Sequence, residues 1–395
     1  MDSVSQFALG AALSVAVMGR RTAVWKAALW GGLAGTLPDL DVVINHGDAI
    51  LNMVNHRAES HSLLYLSLLA PLLGWGLVRL QSKGQHGHGA LWRRWTLALW
   101  LALFTHPLLD LMTVYGTRLL LPFTDHPFGV GSVFIIDPLY TVPLLLGLGI
   151  ALGLKSSRGL RWNQVGLALS TLYLAWGFWM QLHMTHVAQA SLKESGIQAE
   201  RLLVNPTAFN SVLWRMIAMT PDYYYEGFRS LLDGQSQITW HQHPRCDALA
   251  QANIKNAGVE AIATFSHGFY SLGQQDGRLI VMDLRMGQEP YYFFRFDVGP
   301  VGNTVGDVAG VASGERGAAQ GGADQGGVVV SRAIGQRPDV GSALPWLWAR
   351  LKGDDVALPA ADLSGRSMQA IQLERCGYSI KNKGDEIDTG AGKTR

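Results

Sequence analysis

Long apolar runs dominate the first 190 residues of the chain. A helix of about 20 mostly apolar residues is long enough to cross a bilayer. Five runs approach or exceed that length: 23–44, 62–80, 95–121, 133–154 and 162–182. A sixth run, 7–18, is short for a span and is expected to re-enter or to lie in the interface. The pattern predicts a multi-span α-helical membrane bundle over residues 1–188.

The pattern changes after residue 189, where apolar and polar positions alternate as they do in strands. Asp233-Gly234 and Asp276-Gly277 are typical of hairpin turns. Residues 278–284 and 291–298 are rich in aromatic and β-branched side chains, which favours strands. We therefore expect residues 189–302 to form a soluble α+β domain with an antiparallel sheet.

Composition divides the rest of the second half into three segments. Gly and Ala dominate 303–337, which predicts a linker or loop. Residues 338–365 are expected to return and pack on the soluble domain, with a short helix at 345–351. The polar stretch 366–395 is expected to be a disordered tail.

Charge is distributed unevenly between the two halves. Residues 1–190 hold 12 Lys/Arg and 8 Asp/Glu, whereas the remainder holds 20 and 22. The second half is therefore about twice as charged as the first and is closer to a soluble protein. The net charge of +2 argues against a dedicated nucleic-acid binder. The two cysteines are too few for a zinc ribbon and do not by themselves indicate the redox compartment.

The basic residues of the first half predict its orientation. Ten Lys/Arg fall in loops on one side of the predicted bundle, and only Arg57 and Arg118 fall on the other. Basic loops are usually cytoplasmic. We therefore expect the loops around 39–60 and 112–132 to be external. The same rule predicts an extracytoplasmic C-terminal domain.

Polar clusters concentrate on this predicted outer side, at 38–41, 56–61, 105–110 and 125–137. His106 and Asp110 are the most informative pair, because residues four apart share one face of a helix. Ionisable side chains within an apolar run are costly and usually face a cavity or a partner. The alternative is a His–Asp pair that only braces two helices.

Together the clusters predict a metal site built from nitrogen and oxygen donors. The expected ligands are His56, His61, His106 and Asp110, with Asp39 and Asp41 bridging or completing the site. Such a set suits one or two divalent ions, zinc first and manganese or iron as alternatives. It contains no thiolate, which excludes a structural zinc site of the cysteine type.

These motifs carry a resemblance to the YdjM family, whose members are bacterial inner-membrane proteins usually described as metal-dependent hydrolases. The matching residues are 1–3, 35–41, 56–62, 105–122 and 136–138, with further similarity at 206–215, 283–287 and 344–348. The chain departs from the family at Ala58-Glu59-Ser60, where members often have a Gly and a Thr, but both histidines remain. The resemblance implies a multi-pass inner-membrane protein with a divalent metal and a hydrolytic activity.

A catalytic set follows from this expectation. Glu59 or Asp137 is the expected general base, although Asp137 before Pro138 could instead cap a helix. Arg57 or Arg118 could hold an anionic group such as a phosphate, and Arg57 could equally be an interfacial anchor. Thr113 and Tyr115 complete the expected substrate-binding set.

The expected partners are membrane lipids and a lipid or lipid-linked phosphoester substrate, with no nucleic acid and no specified protein partner. A second hypothesis is a non-enzymatic membrane protein that uses the His/Asp set for metal binding, sensing or transport. The third is a scaffold in which the set serves helix packing while the outer domain recruits partners.

Overall fold

The computed structural model describes residues 1–81, 88–234, 237–253, 255–301, 330–335, 337, 339–356 and 376. Most of the predicted linker or loop over 303–337 and of the predicted tail over 366–395 lies outside the described residues. Within the described part, a helical N-terminal region is followed by a domain of antiparallel sheets. The coarse fold class predicted from the sequence is therefore confirmed.

Seven helices make up the described N-terminal region. They are α1 Ser3–Met18, α2 Val24–Thr36, α3 Ala49–Asn55, α4 Leu63–Gln81, α5 His88–Leu111, α6 Pro138–Leu154 and α7 Ser157–Glu194. Short 3-10 turns occupy Pro38–Val43 and Glu59–His61. Among the described residues, α4 and α7 are long and apolar enough to cross a membrane by length and composition.

Two of the predicted apolar runs are not single helices. In the run 23–44, α2 ends at Thr36 and Pro38 starts a 3-10 turn, because proline lacks the N–H that would continue the helical bonding. In the run 95–121, α5 ends at Leu111. There the Thr113 hydroxyl donates to the Asp110 carbonyl oxygen at 2.7 Å, in place of a further helical turn. Both early ends leave the chain irregular beside a polar cluster.

The first helix lies inside the bundle rather than at its edge. α1 packs against α2, α5, α6 and α7. Its contact with α2 requires glycine, because a Cβ at Gly10 would collide with the Gly31 carbonyl oxygen. On the opposite side, the buried Asn163 side chain of α7 donates to the Ala12 carbonyl oxygen at 2.9 Å. The run at 7–18 is therefore part of the helical core, and it brings the start of the chain to the polar clusters.

The last helix of this region joins the two parts of the molecule. α7 has 38 residues, which corresponds to about 57 Å, well beyond the ~30 Å hydrocarbon core of a bilayer. Near its C-terminal end, Met180 and Met184 are buried against Trp214 and Met216 of the sheet domain. The sheet domain is thus packed onto the end of a long, continuous helix.

Two four-stranded antiparallel sheets and a short ribbon form the described C-terminal domain. The first sheet has the order β1 Arg201–Pro206, β2 Leu213–Met219, β3 Tyr223–Ser230 and β4 His241–Pro244. The second has the order β10 Arg332–Ala333, β9 Arg295–Pro300, β6 Arg278–Asp283 and β5 Tyr270–Gln275. β7 Gly287–Gln288 and β8 Tyr291–Tyr292 pair with each other. The predicted turn at Asp276-Gly277 joins β5 to β6.

Helices and a disulfide complete the described domain. The helices are α8 Asp247–Ala252, α9 Ala257–Phe265 and α10 Val340–Lys352. Trp346 of α10 packs edge-on against Phe228 of β3, with the ring centroids 5.3 Å apart. Cys246 and Cys376 form a disulfide across 130 positions of sequence. The two cysteines, which the sequence left uninformative, are therefore partners.

A second core lies where the sheet domain meets the loops of the helical region. Ile50 and Met53 of α3, together with Tyr115, are buried in one cluster with Phe265 and Leu272 of the sheet domain. The Tyr115 hydroxyl donates to the Met53 carbonyl oxygen at 2.7 Å. The sheet domain therefore covers the loops that carry the polar clusters.

Candidate metal centre

Three chain segments bring acids and histidines together at one end of the helical region. The 3-10 turn after α2 carries Asp39 and Asp41. The 3-10 turn before α4 carries His61. The C-terminal part of α5 carries His106 and Asp110, which are four residues apart and share one helix face.

Four of these side chains converge on a common point. Asp39, His61, His106 and Asp110 each offer one ligand atom, and these atoms all lie within 4.8 Å of one another. His61, His106 and Asp110 are completely buried, and Asp39 is 18% exposed. The only partly open member of the cluster is therefore Asp39.

The distances within the cluster place nitrogen and oxygen donors face to face. His61 Nε2 lies 3.2 Å from Asp110 Oδ2 and 3.4 Å from Asp39 Oδ1. His106 Nε2 lies 3.4 Å from each of the same two oxygen atoms. The two Nε2 atoms are 3.1 Å apart.

Hydrogen bonds on the far sides of the rings decide which nitrogen carries the proton. His106 Nδ1 lies 2.6 Å from the Gly35 carbonyl oxygen, which can only accept, so Nδ1 is the donor. Ser60 Oγ donates to Asp41 Oδ2 at 2.6 Å, which leaves it as acceptor for His61 Nδ1 at 2.8 Å. In neutral rings both Nε2 atoms then carry lone pairs, and these face each other beside two carboxylates. A divalent ion fits this arrangement, because it would be shared by four donors that otherwise repel.

The remaining oxygen of Asp110 is held by cationic and amide donors. Arg57 Nη2 lies 3.2 Å from Asp110 Oδ1, and the Arg57 side chain is only 3% exposed. Gln6 Nε2 donates to the same oxygen at 3.2 Å, and the amino group of Met1 also contacts it. Asp110 Oδ2 is buried and has no hydrogen-bond partner in the described residues. One oxygen of Asp110 is thus anchored by the protein while the other faces the cluster.

The other two predicted ligands form a separate pair at the edge of the cluster. His56 Nδ1 lies 2.7 Å from Asp41 Oδ1, and His56 is 25% exposed. Asp41 Oδ2 also accepts the backbone N–H of Arg57 at 3.0 Å. Although partial burial acts to raise the pKa of Asp41, hydrogen bonds from His56 and Ser60 outweigh it and hold that pKa below its usual value.

The predicted catalytic carboxylates lie outside the four-residue cluster. Asp137 is the N-cap residue of α6, where its side chain accepts the Leu139 N–H at 3.0 Å. Its other oxygen accepts the Tyr173 hydroxyl at 2.7 Å. Both oxygens of Asp137 therefore accept hydrogen bonds, one in a helix cap and one between helices. Capping is the alternative role that its position before Pro138 suggests. Glu59 is exposed at the start of its 3-10 turn.

The three predicted substrate-binding residues have different surroundings. Thr113 Oγ1 accepts Arg57 Nη1 at 3.2 Å and so helps to hold that guanidinium. Tyr115 is 5% exposed, and its ring lies 4.8 Å below the Arg57 guanidinium. Arg118 is half-buried, with Nη1 3.5 Å from Asn55 Oδ1 and a buried Nε that has no partner in the described residues.

Gln6 is the site residue that sequence reasoning missed. It lies on α1, is 1% exposed, and donates both to Asp110 and to the His106 carbonyl oxygen at 3.1 Å. The sequence holds a signal for it, because Gln6 is the only amide side chain in a helix whose other polar residues are serines. The run around it is short for a span, however, and α1 was not expected to reach the site.

Comparison with known proteins agrees with the motifs. Residues 1–184 match the family model described as YdjM inner membrane protein. The resemblance drawn from the motifs is therefore confirmed over this part of the chain, and the family name indicates an inner membrane protein. The motifs quoted at 206–215, 283–287 and 344–348 lie beyond the matched residues.

A match to a single protein extends further along the chain. The chain is 27% identical over 236 residues to the uncharacterized protein YfhP of Bacillus subtilis (strain 168), a match that covers 58% of this chain and 68% of that protein. No solved structure matches the chain.

Proposed function

We propose that this chain is a multi-pass inner-membrane, metal-dependent hydrolase whose site opens near the outer face of the membrane. The observation that carries the proposal is the pair of facing Nε2 atoms of His61 and His106, with Asp39 and Asp110 beside them. Such a donor set suits zinc, with manganese or iron as alternatives. The bound ion would supply Lewis acidity to an ester and make a water molecule more acidic.

The orientation rests on two independent features. The helix ends away from the site carry most of the basic residues of this half, among them Arg79, Arg93 and Arg158, which favours the cytoplasm for that side. In addition, the Cys246–Cys376 disulfide belongs to the sheet domain. Disulfides persist in oxidising compartments and are rare in the cytosol. An extracytoplasmic sheet domain satisfies both features.

The protein's own residues have separable roles in this proposal. Asp39, His61, His106 and Asp110 hold the ion, and Arg57 fixes Asp110 through a buried ion pair. His56 is the proposed proton-transfer group, since Asp41 holds its Nδ1 and leaves Nε2 available to take a proton from water and return it to the leaving group. Asp137 has no part in this proposal, and Glu59 remains the alternative base.

The surroundings of Asp39 support a lipid or lipid-linked phosphoester as substrate. Asp39 is the partly open member of the cluster, and the chain around it exposes Leu40, Val42 and Val43 at 58%, 72% and 79%. An amphiphile would contact these apolar side chains while its polar ester reaches the cluster. Arg118, a half-buried cation in the loop after α5, is the proposed contact for a phosphate.

Metal content and hydrolysis, measured on the same preparations, test the proposal. The full chain would be purified in detergent as wild type, His106→Ala, Asp110→Ala and, as a matched control, His183→Ala on the exposed face of α7. We expect a stoichiometric divalent metal in wild type and control, its loss in the two site variants, and metal-dependent cleavage of phosphoester or carboxylester substrates.

Each alternative result has a distinct meaning. A folded wild type that holds no metal contradicts the metal site itself. Metal that is present without cleavage of any tested ester contradicts the hydrolase and favours a metal-binding or sensing protein.

A further inference from the structure

A shallow groove of about 340 Å³ lies at the start of α7, far along that helix from the candidate metal centre. Its lining residues are Arg158, Arg161, Trp162 and Val165. They follow the spacing i, i+3, i+4 and i+7, so all four lie on one helix face. The groove is therefore lined by two cationic side chains followed by two apolar side chains.

Both arginines of the groove are available to an anion. Arg158 and Arg161 are exposed, and neither forms an ion pair with an acid in the described part of the chain. Two guanidinium groups one turn apart can hold a phosphate through several charge-assisted hydrogen bonds. The charge of the groove thus selects an anionic group.

The same helix face continues as an exposed apolar stripe. Trp162 and Val165 are followed on that face by Leu169 and Leu172, which are 51% and 65% exposed. From Arg161 to Leu172 the helix rises about 16 Å, roughly half of the ~30 Å hydrocarbon core. A free phosphate would contact only the two arginines, whereas a phospholipid would contact both the arginines and the apolar side chains that follow them.

We propose that Arg158, Arg161 and Trp162 form a binding site for an anionic phospholipid of the inner leaflet. The two arginines hold the phosphodiester, and one acyl chain lies along Trp162, Val165 and Leu169. The negative lipid headgroup complements the charge of the arginines, and the acyl chain contacts the apolar side chains of the helix. The site is separate from the metal cluster and does not depend on hydrolysis.

Native mass spectrometry of the full chain in detergent tests this site. The wild type would be titrated with phosphatidylglycerol, with phosphatidylcholine carrying the same acyl chains, and with phosphatidylglycerol in the presence of millimolar inorganic phosphate. We expect selective binding of phosphatidylglycerol that inorganic phosphate does not displace. Equal binding of the two lipids would overturn the proposal, and displacement by inorganic phosphate would reduce it to a simple anion site.

Variants locate the binding on the molecule. Arg158→Gln/Arg161→Gln should weaken phosphatidylglycerol binding about 30-fold, because the charge-assisted hydrogen bonds of both guanidinium groups to the phosphodiester are lost. Arg158→Lys/Arg161→Lys should retain most of it. Arg93→Gln/Arg94→Gln, a second adjacent basic pair outside the groove, is the matched control and should bind as the wild type does. Unchanged selectivity in the glutamine variant contradicts the site. If that variant fails to fold, the comparison of phosphatidylglycerol with phosphatidylcholine on the wild type still tests the proposal.

Discussion

The Nε2 atoms of His61 and His106 face each other at 3.1 Å, while the opposite nitrogen of each ring is fixed by a hydrogen bond. The buried Asp110 and the partly open Asp39 complete the same small volume. This arrangement leaves lone pairs and negative charge together unless a cation is shared among them.

Metal removal should destabilise the folded protein. A ligand that binds only the native state stabilises it by about 2.7 kcal/mol at a concentration 100 times its dissociation constant. We therefore expect a chelator to lower the Tm of the full chain in detergent, and added zinc to restore it. The Tm of His106→Ala should respond to neither treatment. A wild-type Tm that is insensitive to both would contradict the metal site.

Removal of the Arg57 guanidinium should weaken the fold around Asp110. Arg57 is 3% exposed and pairs with a completely buried carboxylate. Breaking a buried pair on one side costs about 3–5 kcal/mol, because the other charge stays buried. Arg57→Ala should therefore lower the Tm strongly. The exposed Arg93 is the control, since Arg93→Ala should leave the Tm nearly unchanged.

His56→Gln separates proton transfer from metal binding. The Asp41–His56 pair lies beside the four converging ligands rather than among them. We expect the variant to keep its metal while the rate of ester cleavage falls by about 10²–10⁴, the usual contribution of a positioned acid or base. Metal loss equal to that of His106→Ala would instead make His56 a ligand, as the sequence predicted. His126→Gln serves as the control.

A buried ion pair in the sheet domain should be essential for stability. Arg215 Nε donates to Glu226 Oε1 at 2.7 Å, and Arg215 Nη1 donates to the Leu284 carbonyl oxygen at 2.8 Å. Burial acts to lower the pKa of Arg215, but the Glu226 carboxylate outweighs it and raises that pKa, so the guanidinium stays charged. Glu226→Gln should cost about 3–5 kcal/mol in urea unfolding. Glu194→Gln, at an exposed position, should cost almost nothing.

The disulfide gives a test of orientation. Intact cells would be treated with a membrane-impermeant maleimide, with and without prior reduction. Because Cys246 and Cys376 are paired, we expect labelling of the wild type only after reduction, and labelling of Cys246→Ser without it. If Cys246→Ser is labelled only after the cells are opened, the sheet domain is cytoplasmic and the proposed orientation is wrong. Cys246→Ser/Cys376→Ser should also lose about 2–5 kcal/mol of stability.

Much of the fold can be predicted from the sequence, because buried apolar residues recur in patterns that differ between helices and strands. The apolar runs predicted α4, α6 and α7, and the turn at Asp276-Gly277 predicted the β5–β6 hairpin. The apolar runs 23–44 and 95–121 extend beyond the ends of α2 at Thr36 and α5 at Leu111. Hydropathy does not detect the hydrogen bond from Thr113 or the backbone requirement of Pro38, which end those helices locally.

The candidate site divides in the same way. The sequence by itself determined the types of ligand atom, since acids and histidines in apolar surroundings are costly unless they pair with one another or face a cavity. Only the tertiary structure decided which of them meet. It set Asp41 and His56 apart from the four converging ligands, gave Asp137 to a helix cap, and brought Gln6 to Asp110. The reason is geometric, because these contacts join residues up to 104 positions apart and depend on how α1, α2 and α5 pack.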